Sequence, residues 1–335
     1  MKQISDLLKD VKIPKMYKIR ELYDATNIPA EDVPGIVTAE LSRELIAEKI
    51  KPGMRIAITC GSRGIHHYPI FARAIVDFVR SRGAEPFIVA AMGSHGGATS
   101  EGQREILASN GITEEAMGCP VRTEMDSVEV GRSKISGGPV VCDKNAAEAD
   151  GIILFNRIKP HTSFRGRYES GMLKMMAIGL GKQVGAENIH HQSPAIMGDL
   201  IAEYGRTILE ATPVIGGIAI IENAYDETYL IRGLAREEIL EEEPKLRDLS
   251  YEKFGKLLFD ETDCHSNLTY VVDLSIKHCT CLMFLNSLRN YNELAVLHIA
   301  DCTNNTSGSN IKSKNNLLIN LLQTRHTLVP SILIM

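Results

Sequence analysis

A lysine and three histidines lie close together in residues 157–192 of this chain. Lys174 stands in an apolar run of methionine, leucine, alanine and isoleucine, and His161 precedes it by 13 residues. His190 and His191 follow it by 16 and 17 residues. A lysine in such a run either reaches water with its long side chain or is held near a group with which it reacts. A lone lysine would favour the first alternative, and the nearby imidazoles favour a site.

Three strand-like apolar runs end in polar loops that carry cationic or titratable side chains. RIAITC is followed by GSRG with Arg63, PFIVAAM by GSHGG with His95, and GIILF by NRIKPH with His161. In open parallel sheets, ligands bind beyond the carboxyl ends of the strands. The three loops together therefore predict a shared cleft for an anionic ligand.

Each of these side chains has a chemistry that suits such a cleft. Arg63 can bind a carboxylate or phosphate through two parallel hydrogen bonds. His95 and His161 can act as a general acid and base, because imidazole titrates near neutral pH. The alternative for each histidine is a loop residue satisfied by local hydrogen bonds. Of His190 and His191, we expect one to face the site and the other to face solvent.

The predicted elements that position these loops alternate between strand and helix. We expect a helix that begins near His66 and His67, which fit surface positions, and ends at Gly83. A second helix is expected after the GSHGG loop, opened by a capping box of Ser100 and Gln103. This order predicts an α/β fold with a mostly parallel sheet and helices on both faces, a Rossmann-like N-terminal domain.

The pattern further along the chain is compatible with the same fold. Short strands are expected near Val128 and Val140, and an amphipathic helix over residues 194–212 leads to a buried strand over 214–221. Residues 236–259 are acidic and are expected to form a surface helix. A GxGxxG signal is absent after the first strand, and GLGK is too short for a Walker motif, which disfavours an ordinary Rossmann dehydrogenase or a P-loop.

Composition narrows the class of protein further. The net charge of −5 argues against a general binder of nucleic acid or anionic membrane, because phosphate recognition needs a basic surplus. No segment has the ~18 apolar residues of a membrane helix, and the start lacks a signal-peptide core. The seven cysteines form no CxxC pair and fit reduced thiols. We therefore expect a cytoplasmic protein.

The character of the chain changes near Asp263. Of 27 glycines only Gly308 lies beyond this point, and of 13 prolines only Pro330. The strands and helices of an α/β domain are normally separated by loops that contain glycine and proline. We therefore divide the chain into a domain of residues 1–260 and an atypical tail of residues 261–335, which fits an altered reading frame or a truncated second domain. The alternative is a few helices docked on the core.

Five motifs in order resemble the N-terminal domain of the nickel-dependent lactate racemase family, also described as DUF2088. They are GSRG (61–64), GSHGGAT (93–99), KPHTSFRG (159–166), ESGMLKMMAIGLGK (169–182) and NIHHQ (188–192). The resemblance covers roughly residues 15–260. It implies racemisation of a small, lactate-like 2-hydroxy acid through a 2-keto acid, with a nickel-pincer nucleotide as cofactor and with cofactor-maturation proteins as partners.

The resemblance also implies a role for each matching residue. Lys174 fits the covalent tether of the cofactor, and His190 fits the nickel ligand with His191 as the alternate. His95 and His161 fit the two bases, and Arg63 fits the clamp on the substrate carboxylate. We assign further cofactor contacts to two residues of the GSHGG loop, Ser94 and Gly96.

Two departures from the family pattern leave other functions open. The family often has Asp-x-Thr-Arg-Pro where this chain has Cys60 to Gly64, which makes lactate itself a less favoured substrate. The second domain of the family, which supplies further substrate contacts, has no recognisable counterpart after Glu261. The alternatives are an inactive homologue that still binds a nucleotide or metal, and a metal hydrolase that uses the same histidines.

Overall fold

The structure is a computed structural model that describes residues 17–19, 21–162, 164–256, 265–266, 293–299, 317–323 and 332–334. The chain divides into two compact units. One comprises residues 24–254, and the other combines residues 1–23 with 255–335. All of the site residues named above lie in the unit of residues 24–254.

The larger unit is built around a six-stranded sheet. Along the chain its strands are β1 (Arg55–Cys60), β2 (Glu85–Ala90), β3 (Val121–Arg122), β6 (Gly151–Arg157), β7 (Val214–Glu222) and β8 (Thr228–Ala235), with a separate antiparallel pair, β4 (Ser127–Arg132) and β5 (Pro139–Asp143), between β3 and β6. The order across the sheet is β3-β2-β1-β6-β7-β8. All neighbouring pairs are parallel except β7 and β8, which are antiparallel.

Helices cover both faces of this sheet. They are α1 (Val33–Leu41), α2 (Glu44–Ala47), α3 (Tyr68–Ser81), α4 (Ser100–Ser109), α5 (Glu114–Met117), α6 (Lys144–Ala147), α7 (Met172–Lys174), α8 (Lys182–His190), α9 (Met197–Ala211) and α10 (Ile239–Lys253). A π-helical turn, Met175–Leu180, joins α7 to α8, and short 3₁₀ turns lie at Gly96–Ala98 and Pro194–Ile196. The predicted α/β class, with a mostly parallel sheet and helices on both faces, is confirmed.

The strands form because their side chains are apolar on both faces. In β6, Ile153 and Phe155 join a core shared with α1 and α3, whereas Ile152 and Leu154 join a second core shared with α7 to α10. Successive side chains of a strand point to opposite faces, so a strand buried on both sides needs a continuous apolar run. GIILF meets this requirement, and the strand continues through Asn156 and Arg157, two residues further than the apolar run, before the loop begins.

The start of α4 differs from the prediction. Thr99, not Ser100, is the N-cap residue, and its hydroxyl accepts a hydrogen bond from Gly102 N at 3.1 Å. Gln103 does not complete a capping box; it is fully buried, and its amide donates to Gly93 O at 2.8 Å. The capping-box prediction is therefore wrong, because Gln103 turns inward toward the GSHGG loop.

Apart from residues 21–23 and 255–256, the smaller unit is described only in its strands. Tyr17–Ile19 and His265–Ser266 both pair antiparallel with Ile332–Ile334, and Glu293–Ile299 pairs antiparallel with Leu317–Gln323. Most of the predicted atypical tail of residues 261–335 lies outside the described residues, so the division at residue 260 stays a prediction. Within the described part of the chain, no helix is both long and apolar enough to cross a membrane.

Candidate active site

The three chemistry-bearing loops follow three adjacent strands. From β1 the chain continues to β2 and β3 on one side of the sheet, and later to β6 and β7 on the other, so the order reverses between β1 and β6. Such a reversal is where open α/β sheets bind ligands. Backbone pairing of β1 with β6 ends at Ile58 and Ile153, while β1 stays paired with β2 as far as Cys60 and Ala90. The carboxyl ends of β1 and β6 thus border a crevice.

The loop after β2 presents His95 from a tightly packed glycine turn. Gly96 has φ +67°, and a Cβ there would lie 2.5 Å from the carbonyl carbon of Gly102. Only glycine fits this approach without strain. The His95 ring forms a hydrogen bond through Nδ1 with the hydroxyl of Ser62, so the loops after β1 and β2 meet at this side chain. Ser94 lies partly buried beside it.

The loop after β6 is held by a buried acid. Lys159 and Ser170 exchange backbone hydrogen bonds of 2.9 and 3.3 Å, which closes the loop at its base. The carboxylate of Glu169, only 3% exposed, accepts from His161 N at 2.6 Å. The His161 ring packs on Phe164, with 4.2 Å between ring centroids. The backbone and the ring of His161 are thus both fixed.

Lys174 ends α7 and is followed by the π-helical turn, which packs under the first two loops. Gly93 N donates to Gly179 O at 3.2 Å, and Met175 Cε lies 3.3 Å from the position of a Cβ on Gly61. A π turn widens a helix by one residue and is common at functional sites. Here it lets the segment after Lys174 lie against the carboxyl ends of both β1 and β2.

The Lys174 amine is electrostatically unusual. Burial lowers the pKa of Lys174 to about 8; the guanidinium of Arg63 lowers it as well, and the carboxylate of Glu169 opposes these effects. A lysine with such a pKa is a neutral amine in about a tenth of the molecules at pH 7, far more than an ordinary lysine, and a neutral amine is nucleophilic.

The pKa values of three histidines respond to the same charges. Burial lowers the pKa of His161 to about 2, with smaller contributions from cations that include Lys174, and from His190. Burial also lowers the pKa of His95, and Arg63, Lys174 and His190 add to the effect. For His190 the causes are burial, Lys174 and then His191. All three imidazoles are therefore neutral at pH 7.

The structure thus brings Arg63, His95, His161 and His190 each within electrostatic range of Lys174. Exposed His191 follows α8 and acts on the site through its neighbour His190. The catalytic, binding and ligand roles assigned to these residues and to Ser94 and Gly96 stay predictions.

His66 and His67 stand apart from this group. Thr228 N donates to His66 Nδ1 at 3.1 Å, and His67 is the residue before α3. Both positions fit the expected start of a helix.

A second lysine near the loops, Lys182, has a different environment. It is fully buried, and its Nζ lies 2.9 Å from Asp143 Oδ2 and donates to Ala90 O at 2.7 Å. Gln103 Oε1 lies 3.5 Å from the same nitrogen. Because its ammonium is enclosed by these acceptors, Lys182 is a structural anchor, and Lys174 is the lysine that faces the histidines. No local sequence pattern indicates this pair, since Lys182 and Asp143 are remote along the chain.

Residues of helix α10 also form hydrogen bonds with the segment that joins His161 to Lys174. Its Leu240 O accepts from Tyr168 OH at 2.8 Å, and its Tyr251 OH donates to Glu169 at 2.9 and 3.0 Å. The carboxylate of Glu243, 1% exposed, accepts from Leu173 N at 3.1 Å at the start of α7. The acidic composition predicts a helix here correctly, but its placement at the surface is wrong for these inward-facing residues.

The other candidate nucleophiles and ligands are less suited to chemistry. Cys60 and Cys142 are buried thiols, and burial raises the pKa of each to about 12, which makes both unreactive. Within the described ranges, no three side chains of His, Cys, Asp or Glu are grouped so that they could hold a metal ion.

Comparison with known proteins places the chain in a family. The family model described as "Domain of unknown function (DUF362)" matches residues 50–275, which is more than half of the chain. The chain belongs to this family. The DUF362 match begins just before β1 and extends past α10, so it contains every site residue named above. The matching model is not DUF2088, so the resemblance to nickel-dependent lactate racemases rests on the sequence motifs alone.

One solved structure with similarity to this DUF362 protein is that of the lactate racemase apoprotein from Thermoanaerobacterium thermosaccharolyticum. The TM-score is 0.49 and the sequence identity is 15%, over 69% of this chain and 62% of that chain. The similarity thus covers less than two thirds of that protein's length. No curated protein matches the chain.

Proposed function

We propose that this DUF362 protein is a racemase or epimerase of a small 2-hydroxy acid and that it uses a nickel-pincer nucleotide tethered to Lys174. The observation that carries the proposal is the Lys174 amine, with its pKa lowered to about 8, among the neutral imidazoles of His95, His161 and His190. The motif resemblance to nickel-dependent lactate racemases supplies the identity of the reaction and of the cofactor.

The residues present fit such a cofactor. The neutral amine of Lys174 can form the covalent link, and the neutral imidazole of His190 is a good nitrogen ligand for nickel. The described residues contain no complete protein metal site, so the remaining donor atoms would come from the thioacid groups of the nucleotide. A metal hydrolase, which needs about three protein ligands, is less well supported by the same residues.

The protein's own groups would bind the substrate and move its proton. Arg63 would hold the carboxylate, which fixes the hydroxyl-bearing carbon in the crevice. His95 or His161 would take the hydroxyl proton, and both are suited to this because their imidazoles are neutral. When bound, the nickel-pincer nucleotide supplies the acceptor for the hydride from C2. Loss of the hydroxyl proton to one histidine together with loss of hydride from C2 would leave a 2-keto acid, and return of hydride to the opposite face of C2, with the proton returned to the oxygen, would give the other enantiomer.

The motif resemblance implies cofactor-maturation proteins as partners, which would supply the cofactor to this chain. The proposed location is the cytoplasm. The net charge of −5 supports a small-molecule substrate over nucleic acid or membrane. The substrate would be a lactate-like acid, although the missing Asp-x-Thr-Arg-Pro pattern disfavours lactate itself.

The test is the mass of the intact protein together with a map of its peptides. Protein produced in a host that makes the cofactor should carry a covalent adduct on the peptide that contains Lys174. Lys174→Ala should abolish the adduct while the fold is kept, and Lys174→Arg should abolish it too, because a guanidinium stays protonated and is a poor nucleophile. Exposed Lys245 serves as the control: Lys245→Ala should keep the adduct.

Two results would count against the assignment. An adduct that survives Lys174→Ala would place the tether on another lysine. A wild-type chain without any adduct, purified from a host shown to load a known lactate racemase, would remove the cofactor from the proposal.

A further inference from the structure

Glu169 is a buried acid on the chain segment that joins His161 to Lys174. Its side chain is nearly inaccessible, with 3% of the residue exposed. An acid in such a position is unfavourable unless its oxygens are hydrogen-bonded or paired. The proposed function gives this residue no task, so its contacts call for another explanation.

Among the described residues, the Glu169 carboxylate forms hydrogen bonds with donors and lies near a cation. Oε2 accepts from His161 N at 2.6 Å, and Oε1 accepts from Gly166 N at 3.3 Å. Tyr251 OH lies 2.9 Å from Oε1 and 3.0 Å from Oε2, and Arg165 Nη1 lies 4.0 Å from Oε2. Both oxygens therefore act as acceptors, the arrangement that an ionised carboxylate satisfies.

These contacts run in two directions. Toward the N-terminus they fix the backbone of His161, whose ring is packed on Phe164. Toward the C-terminus, Glu169 is separated from α7 only by Ser170 and Gly171, and its charge acts on Lys174 against the effects of burial and Arg63. The Glu169 carboxylate thus binds the backbone of one site residue, His161, and acts electrostatically on another, Lys174.

We propose that Glu169 is a positioning residue that fixes the backbone of His161 and supplies a negative charge within electrostatic range of Lys174. It does not touch the substrate in this role, and acts through the other two residues. The inference goes beyond the proposed function, because it concerns the charge of an amine and the order of a loop whether or not a cofactor is bound.

The charge is tested by the pH dependence of Lys174 acetylation. The full chain, produced without nickel and shown by intact mass to have no adduct, is labelled with acetic anhydride at a series of pH values. Mass spectrometry of the Lys174 peptide gives the midpoint, with exposed Lys245 as the internal standard. In Glu169→Gln the midpoint should fall by about one unit, so that acetylation near pH 6.5 is about tenfold faster than in the wild type.

The matched control is Tyr251→Phe, which removes a hydrogen bond to the same carboxylate but keeps the charge. Its Lys174 midpoint should stay near that of the wild type. A structural role alone would affect the two variants alike. An unchanged midpoint in Glu169→Gln, or an equal shift in Tyr251→Phe, overturns the assignment of the charge.

The positioning of His161 is tested by amide hydrogen exchange. Glu169→Asp keeps the charge but is one methylene too short for the contact, so the His161 amide should exchange at least about tenfold faster, as for the loss of a net hydrogen bond. The Lys159 and Ser170 amides bond to each other and should keep their rates. Unchanged exchange of His161 overturns the proposal, and this variant decides the matter if Glu169→Gln does not fold.

Discussion

The loops that carry His95 and His161 are held in opposite ways. The His95 loop is short and rests on a buried cation, since Lys182 binds Ala90 O and approaches Gln103, which in turn donates to Gly93 O. The His161 loop is longer and is closed over a buried anion, Glu169. The pKa of each histidine is lowered by burial, in His161 to about 2. Two imidazoles in the same protonation state are thus obtained from two unlike supports.

The difference shows that two supports can have unequal effects on the charge of the candidate site. The cation beneath the first loop is paired with Asp143, so the two opposite charges largely offset each other. The anion of the second loop is satisfied by donors and still acts on Lys174. Support of the first loop therefore affects the charge of the candidate site less than support of the second loop does.

The largest effect is expected from breaking the support of the first loop. Lys182→Met leaves Asp143 buried without its partner, and the loss of one member of a buried ion pair destabilises by about 3–5 kcal/mol. Urea unfolding measures the change. Lys245→Met, which removes an exposed pair with Glu242, is the control and should leave the unfolding midpoint almost unchanged. Equal effects of the two variants would show that Lys182 is not an anchor.

The next effect concerns the two histidines themselves. Under the proposed function, His95→Ala and His161→Ala should each lower kcat by about 10²-fold or more, the scale of general acid–base catalysis. In single-turnover experiments, each variant should slow formation of the 2-keto acid from one enantiomer more than from the other. His67→Asn, a change outside the site that tolerates the residue's φ of +60°, is the control. Equal loss for both enantiomers, together with lower thermal stability, would mean that the histidines only hold their loops.

The smallest expected effect is the difference in stability between two glycine variants of the first loop. Gly96 and Gly97 both have positive φ, but only a Cβ on Gly96 would meet backbone, whereas nothing lies within 4 Å of one on Gly97. Gly97→Ala should cost about 1–2 kcal/mol for its backbone conformation, and Gly96→Ala about 1–3 kcal/mol more for overpacking. Thermal unfolding compares them. If the two variants are equally stable, the backbone around Gly96 moves to accommodate the added Cβ, and the close contact in the structure is not a constraint.

The sequence predicts those parts of the fold that depend on local patterns. The apolar runs RIAITC, PFIVAAM and GIILF mark β1, β2 and β6, and their polar continuations mark the loops of the crevice. The two lysines show the limit of this reasoning. Lys174 and Lys182 both follow apolar residues, yet one faces the histidines and the other is enclosed with Asp143. That distinction depends on which distant residues meet in space.

The sequence patterns also fail to show which polar residues face inward, because this too depends on contacts with distant segments. Gln103 fits a capping-box pattern, and Glu243 lies in an acidic helix typical of a surface, but both are buried. Their partners, Gly93 O and Leu173 N, are backbone groups in other segments. A backbone group has no signature in the sequence, so an isolated pattern cannot show that a polar side chain is needed to satisfy it.

The crevice between β1 and β6 begins where a side chain replaces a backbone partner. Phe155 N donates to Thr59 Oγ1 at 3.0 Å, and Thr59 is fully buried. The Thr59 hydroxyl thus accepts a hydrogen bond from an amide that no longer has a backbone partner in β1. The two strands can therefore stop pairing without leaving a buried amide unsatisfied. Valine has the same shape but offers no oxygen. The opening between the two strands therefore depends on the Thr59 hydroxyl oxygen.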